Sequence, residues 1–347
     1  MKKFPIAFGV LLLIVGGIVL HILISGGFFR EIKPGYSGNI SRMIGVKGAE
    51  DLAISREDSF LIISSDDRAA RFHGRHREGG LYKLDLKNPE ATPVLLSGAI
   101  DFPFFPHGIS MLKIDSGVYK LWVINHPRRN HTVEVFKLFG DTLVHELTLE
   151  DDALVSPNDL IAINEDQFYV TNDHQYRYGW RRIAEDYLGL ALSDVRFYDG
   201  TNYTKVADDI AYANGINYDA DRNLLFVASP RGFLVKVFEP KETGELEFIE
   251  DIDTGTGVDN IEFDANGKLW IGCHPNLLAF AKYASGKAGY SPSEIIIIDY
   301  RAEGDYSVES VFIDEGELIS ASTVAIPFHN QVYIGNVMDD ELVVWKP

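Results

Sequence analysis

The chain of 347 residues has one cysteine, Cys273, so no intramolecular disulfide can form and the fold must close by strand pairing and packing. Basic residues are few: 32 Lys and Arg stand against 51 Asp and Glu, a net charge of −19. That balance leaves no basic face to neutralise phosphates and argues against a nucleic-acid partner. Several catalytic signatures are missing as well. There is no Gly-x-Ser-x-Gly elbow, no Gly-x-x-x-x-Gly-Lys-Ser/Thr phosphate loop, no His-Glu-x-x-His and no paired CxxC. Cys273, in an apolar strand beside Gly272, reads as a buried inert thiol before it reads as a nucleophile.

What is present begins with an apolar run from Phe4 to Phe29 behind Met1-Lys2-Lys3. Its length exceeds the roughly 20 residues that cross a bilayer and the roughly 7–15 residues of a cleaved signal core. Residues 1–29 therefore read as a signal anchor. Ser25-Gly26-Gly27 is a poor cleavage site, and cutting there would release a secreted protein. Lys2 and Lys3 put the N-terminus in the cytoplasm and the acidic bulk on the periplasmic, extracellular or lumenal side. Residues 30–41, with Pro34, Gly35 and Gly38, read as a linker, and 42–347 as one domain.

Six times in that domain a β pattern restarts: a strand of mixed alternation, a polar turn, then a strongly apolar strand. Examples are Leu52–Ile54 then Phe60–Ser64, and Ile216–Tyr218 then Leu224–Ala228. The restarts lie 45 to 63 residues apart, close to one propeller blade of four short strands. A six-bladed all-β propeller is the predicted fold. Trp180 to Leu192 has helix formers at helical spacing and reads as the one covering helix. Residues 67–80 read as a mobile polar loop.

At the matching point of five repeats stands a polar pair: Glu50-Asp51, His107-Gly108, Asn158-Asp159, Asn214-Gly215 and Asp259-Asn260. The sixth repeat has Ser322-Thr323 there, without an assigned role. The innermost strands of a propeller converge on its axis, so these residues meet although they are far apart in sequence. Glu50, Asn158, Asn214, Asp259 and Asn260 are oxygen donors of the kind calcium takes; zinc would draw on His or Cys. Asp51 and Asp159, with the Ile109 carbonyl, could hold a second ion deeper in the tunnel. Any single pair is better read as a turn that caps its own strand; five in register favour the metal.

His107 and His126 are a hairpin's length apart and suit general-base work, one taking a proton from water and the other orienting it. His174 and His274 end second strands, where they could line the pocket mouth or serve as hydrogen-bonded structural residues. Asn39, Asn130 and Asn202 form weak glycosylation sequons.

Phe-Pro-His-Gly-Ile-Ser (105–110), Val-Ile-Asn-His-Pro (123–127), Asn-Asp-Leu-Ile-Ala (158–162), Ala-Asn-Gly-Ile-Asn (213–217), Val-Asp-Asn-Ile (258–261) and Leu-Trp-Ile-Gly-Cys-His-Pro-Asn (269–276) resemble the paraoxonase/arylesterase family. The resemblance runs from about Gly45 to the C-terminus. It implies a six-bladed propeller with two calcium ions that hydrolyses lactones, and aryl esters and organophosphates as side activities. By it, Glu50, Asn158, Asn214, Asp259 and Asn260 hold the catalytic ion, and Asp51, Asp159 and the Ile109 carbonyl the structural one. His107 and His126 are the implied dyad, with a nucleophilic Asp259 as a variant. The family's closing disulfide has no counterpart here; only its free cysteine does, as Cys273. A sugar lactonase of the gluconolactonase type and a non-catalytic membrane-tethered propeller are the alternatives, and the oligomeric state is open.

Overall fold

The computed structural model describes residues 3–72, 74, 79–127 and 130–347. Six antiparallel sheets surround a central tunnel, as the restarts predict. Their innermost strands are Ala49–Ser55, Pro106–Asp115, Pro157–Ala162, Ile216–Asp219, Gly257–Phe263 and Ser322–Phe328, which define blades one to six. The chain ends close the ring. Strand Asn39–Gly45 forms the outer edge of blade six by pairing with Glu341–Lys346, from Asn39 against Lys346 to Gly45 against Glu341. Gly35 and Tyr36 pair with Ile313 and Phe312 on the edge of blade five. Strand pairing thus does the work of the missing disulfide.

The middle strands, such as Phe60–Ser65 and Leu269–His274, are apolar on both faces because each sheet is covered on both sides by its neighbours. One apolar cluster fills each junction between adjacent blades. Leu52 and Leu61 of blade one meet Val324 and Leu342 of blade six, and Phe104 and Leu121 of blade two meet Ile62 of blade one. Stability is therefore spread around the ring.

The polar pairs owe their placement to a break in strand register. In five blades the pairing of the innermost strand slips where the pair stands: between Ala49 and Asp51, Pro106 and Ile109, Pro157 and Leu160, Val258 and Ile261, and Ser322 and Ala325. Such a bulge lets two consecutive residues face the axis, where regular alternation would turn one of them away. Gly108 and Gly215 serve close packing. A Cβ on Gly108 would lie 2.6 Å from the Asn158 carbonyl oxygen, and one on Gly215 would lie 2.4 Å from that of Asp259.

Among the described residues four helices decorate the ring. α1, Lys3–Ser25, is an apolar helix, and its stretch Phe8–Ser25 is long and apolar enough to cross a membrane, with none of it buried. α2, Arg68–Phe72, lies where a loop is predicted for residues 67–80; residues 73 and 75–78 of that stretch fall outside the described residues. α3, Trp180–Leu188, ends four residues before the predicted Leu192, because Gly189 takes the left-handed conformation (φ 62°) and caps it. α4, Leu277–Ala284, was not expected from the sequence; Asn276 caps it by accepting from the Ala279 amide at 3.0 Å.

Candidate metal centre and active site

A cavity of about 370 Å³ opens at one end of the tunnel, with Glu50, His107, Asn158, Asn214 and Asp259 among its lining residues. Asn260 adjoins them, its Nδ2 3.2 Å from Glu50 Oε1. All five oxygen-bearing side chains predicted for the outer ion are buried. Four of their oxygens have no hydrogen-bond partner: Glu50 Oε2, Asn158 Oδ1, Asn214 Oδ1 and Asn260 Oδ1. A buried acceptor without a donor is unfavourable by roughly 1–3 kcal/mol, so four in one place fit a cation taken up by oxygen ligands. Among the described residues no group of three His, Cys, Asp or Glu side chains is arranged to hold a metal. The candidate set escapes that pattern because three of its five members are amides.

The surroundings hold these donors in place. The Thr323 hydroxyl donates to the Glu50 carbonyl at 2.6 Å, which gives the sixth repeat a structural task, and the Thr171 hydroxyl donates to the Asn214 carbonyl at 2.8 Å. His274, stacked on Phe280 of α4 with centroids 4.0 Å apart, has its Nε2 2.8 Å from Asp259 Oδ2. Burial pushes the Glu50 carboxyl up, with Arg68 opposing it, and burial likewise raises Asp259 against His274.

Asp51 and Asp159 lie deeper, on a cavity of about 150 Å³ also lined by Ile109 and Glu262. Asp51 accepts from the amides of Leu52 (2.8 Å) and Ile109 (2.7 Å), and Asp159 from those of Leu160 (2.7 Å) and Ile216 (2.9 Å). The bonds from Ile109 and Ile216 stitch blade one to two and blade three to four. Burial holds both carboxyls well above the usual range; for Asp51 the facing Asp159 adds to it. Two buried carboxyls facing one cavity also fit a cation, which would favour their ionised forms.

His107 stands at the floor of the outer cavity, its Nε2 3.7 Å from Glu50 Oε1, and its ring lies 4.9 Å from that of His126, edge to face. Arg68 of α2 approaches His107 Nδ1 at 2.7 Å. A guanidinium only donates, so the neutral ring carries its proton on Nε2 here. Of the two outer histidines, both line the cavity. His174 is sandwiched between Asp173 (2.6 Å) and Asp186 of α3 (2.7 Å). Burial alone would lower its pKa, but these carboxylates outweigh it and raise the ring to about 9. The Cys273 thiol is buried and pushed up by that burial, which leaves it inert.

Sequence reasoning missed Arg68, Arg182, Asp186, Tyr212 and Arg231 on the cavity wall. They come from loops and helix surfaces outside the repeat; Arg182 and Asp186 lie on the predicted covering helix itself, which was the hint available for them. Ile22 of α1, with Leu277, Leu278, Phe280 and Ala281 of α4, supplies an apolar wall. α1 is fixed there by Arg231, which donates to the Ser25 carbonyl at 2.7 Å.

The arylesterase family model matches residues 71–344. The chain is 32% identical to serum paraoxonase/arylesterase 2 of Rattus norvegicus over 89% of each chain. It is 31% identical to serum paraoxonase/arylesterase 1 of Homo sapiens over 90% of each. Among solved structures, regucalcin, a calcium-binding protein from Agrobacterium tumefaciens, shares the fold with a TM-score of 0.52 at 12% identity, covering 89% of this chain and 93% of that one. With a family match over most of its length and relatives above 30% identity across nine-tenths of it, the chain belongs to the paraoxonase/arylesterase family.

Proposed function

We propose that this chain is a calcium-dependent hydrolase of lactones and aryl esters, held at a membrane by α1 with its propeller on the non-cytoplasmic side. The observation that carries the reading is the set of four buried side-chain oxygens at the cavity floor that have no hydrogen-bond partner, in a chain of this family. Glu50, Asn158, Asn214, Asp259 and Asn260 would hold the catalytic ion, and Asp51, Asp159 and the Ile109 carbonyl a structural one. Calcium bound there supplies Lewis acidity toward a substrate carbonyl oxygen.

The protein's own groups do the rest. The apolar wall of Ile22, Leu277, Leu278 and Phe280 receives the acyl or aryl part of the substrate. His274 orients Asp259 through their hydrogen bond, a role that suits a metal ligand better than a nucleophile. His107 takes the proton of the attacking water. For that its Nε2 must be free, which requires the tautomer with the proton on Nδ1, the nitrogen that Arg68 approaches. Burial, then His107 and His131, hold His126 well below the ordinary imidazole range, so it is neutral and able to accept.

Chelation should abolish hydrolysis of phenyl acetate and of a δ-lactone, and added calcium should restore it; activity indifferent to chelator would sink the metal reading. His107→Gln should lower lactone turnover about 100-fold or more while calcium content, measured by elemental analysis, stays at the wild-type level.

A further inference from the structure

His131 stands beside the histidine pair. It immediately precedes strand Thr132–Phe139 of blade two and is half-buried. Its Nδ1 is 2.7 Å from Nδ1 of His126, and the two rings meet edge to face with centroids 4.6 Å apart. His126 stands 4.9 Å from His107 in the same manner. Three imidazoles thus form a row that starts at the cavity floor and leads away from it.

A nitrogen-to-nitrogen contact of that length holds one proton. Between neutral rings one Nδ1 donates and the other accepts, and this choice decides where the second lone pair of His126 lies. Both rings are kept neutral at physiological pH. Burial comes first for each. For His126, His107, His131 and Arg68 add to it, and Asp173 opposes. For His131, Arg177 and then Arg182 add to burial, Asp173 again opposes, and the ring is brought to about 4. Of the two neutral arrangements, only the one in which His126 donates from Nδ1 leaves its Nε2 free to accept from within the site.

We propose that His131 is a positioning residue of the histidine pair: it accepts the Nδ1 proton of His126 and so fixes the tautomer in which the Nε2 lone pair of His126 is free, on the far side of the ring from His131. The inference rests on the pair reading above. In the His126–His131 bond His131 is neutral with its own proton on Nε2, so a single proton lies between the two rings and neither ring carries a charge.

Two variants of the full chain in detergent, calcium-loaded, test this. His131→Phe keeps a ring without nitrogens, and His131→Asn keeps an amide near the Nδ1 position. His131→Phe should lower kcat for phenyl acetate about 10- to 100-fold with KM and calcium content unchanged, and His131→Asn should recover most of that loss. In protein labelled with 15N-histidine, the two His126 nitrogens, assigned by their disappearance in His126→Gln, should be well separated in the wild type. In His131→Phe they should converge toward the average of two tautomers. Wild-type kcat in His131→Phe, or His126 shifts unaltered by it, overturns the proposal. The shifts are read without substrate, so they judge the His126–His131 bond even if His126→Gln keeps full turnover, the result that would instead remove the pair itself.

Discussion

At the scale of single residues, the same position in the repeat has been given different tasks. Glu50, Asn158, Asn214 and Asp259 present oxygens to the cavity, whereas the second members Gly108 and Gly215 are there because their neighbours leave no room for a Cβ. Gly108→Ala should therefore destabilise the propeller by about 1–3 kcal/mol and weaken calcium binding, since the atoms it meets belong to Asn158 and Asp159. A variant with the wild-type melting temperature and calorimetric affinity would show that the strands can yield there. Thr323→Val removes the hydroxyl bonded to the Glu50 carbonyl; a loss of about 1 kcal/mol in thermal unfolding is expected, with calcium affinity reduced. Residue types at the axis were legible because they recur at a fixed point of the repeat. Arg68 was not: it sits outside the repeat, and nothing in a polar stretch says that one arginine folds back onto His107.

At the scale of elements, α3 is tied to blade three by a charged histidine. The His174 pKa is raised from 6.5 to about 9, so the protonated ring between Asp173 and Asp186 is the stabilising form. That contribution is complete below pH 6.5 and is lost as the pH rises through about 9. After correction for intrinsic rates, the amides of α3 should exchange faster at roughly pH 10 than at roughly pH 6. In His174→Gln the difference should disappear, and equal protection of wild-type α3 at both values would refute the tie. α3 was readable from its helix formers, though its end was set by Gly189. α4 escaped notice because Leu277–Ala284 follows an apolar strand closely and continues its apolar composition; the cap at Asn276 was the one available signal.

For the whole molecule, closure depends on a short seam between distant parts of the chain. Trp345, fully buried, donates from its indole to the Ser37 carbonyl at 2.7 Å and packs against Phe312 and Tyr36. Trp345→Ala should cost about 3–5 kcal/mol and, because the last blade is completed from both ends, should lower the melting of the entire ring. A variant that melts with blade six alone, seen as early exchange confined to residues 322–346, would contradict that cooperativity. If calcium binds the native ring only, raising its concentration to about 100 times Kd should add about 2.7 kcal/mol of stability; a melting temperature blind to calcium would count against both proposed sites.

The sequence by itself determined the number of blades, their chain order, the apolar N-terminal helix and the kinds of donor that reach the axis. These follow from local periodicity and from residue types repeated at one interval, and neither needs a neighbour in space. Only the tertiary structure decided which pair members face the cavity, since that is set by bulges in strand register. It alone brought Arg68 to His107, His131 to His126, and the end of α1 to the cavity wall. Those contacts join segments whose meeting is dictated by ring closure and helix packing, which leave no periodic mark on the chain. The recurring polar pairs pointed to the axis, and the closed ring left four of their oxygens buried without a hydrogen-bond partner.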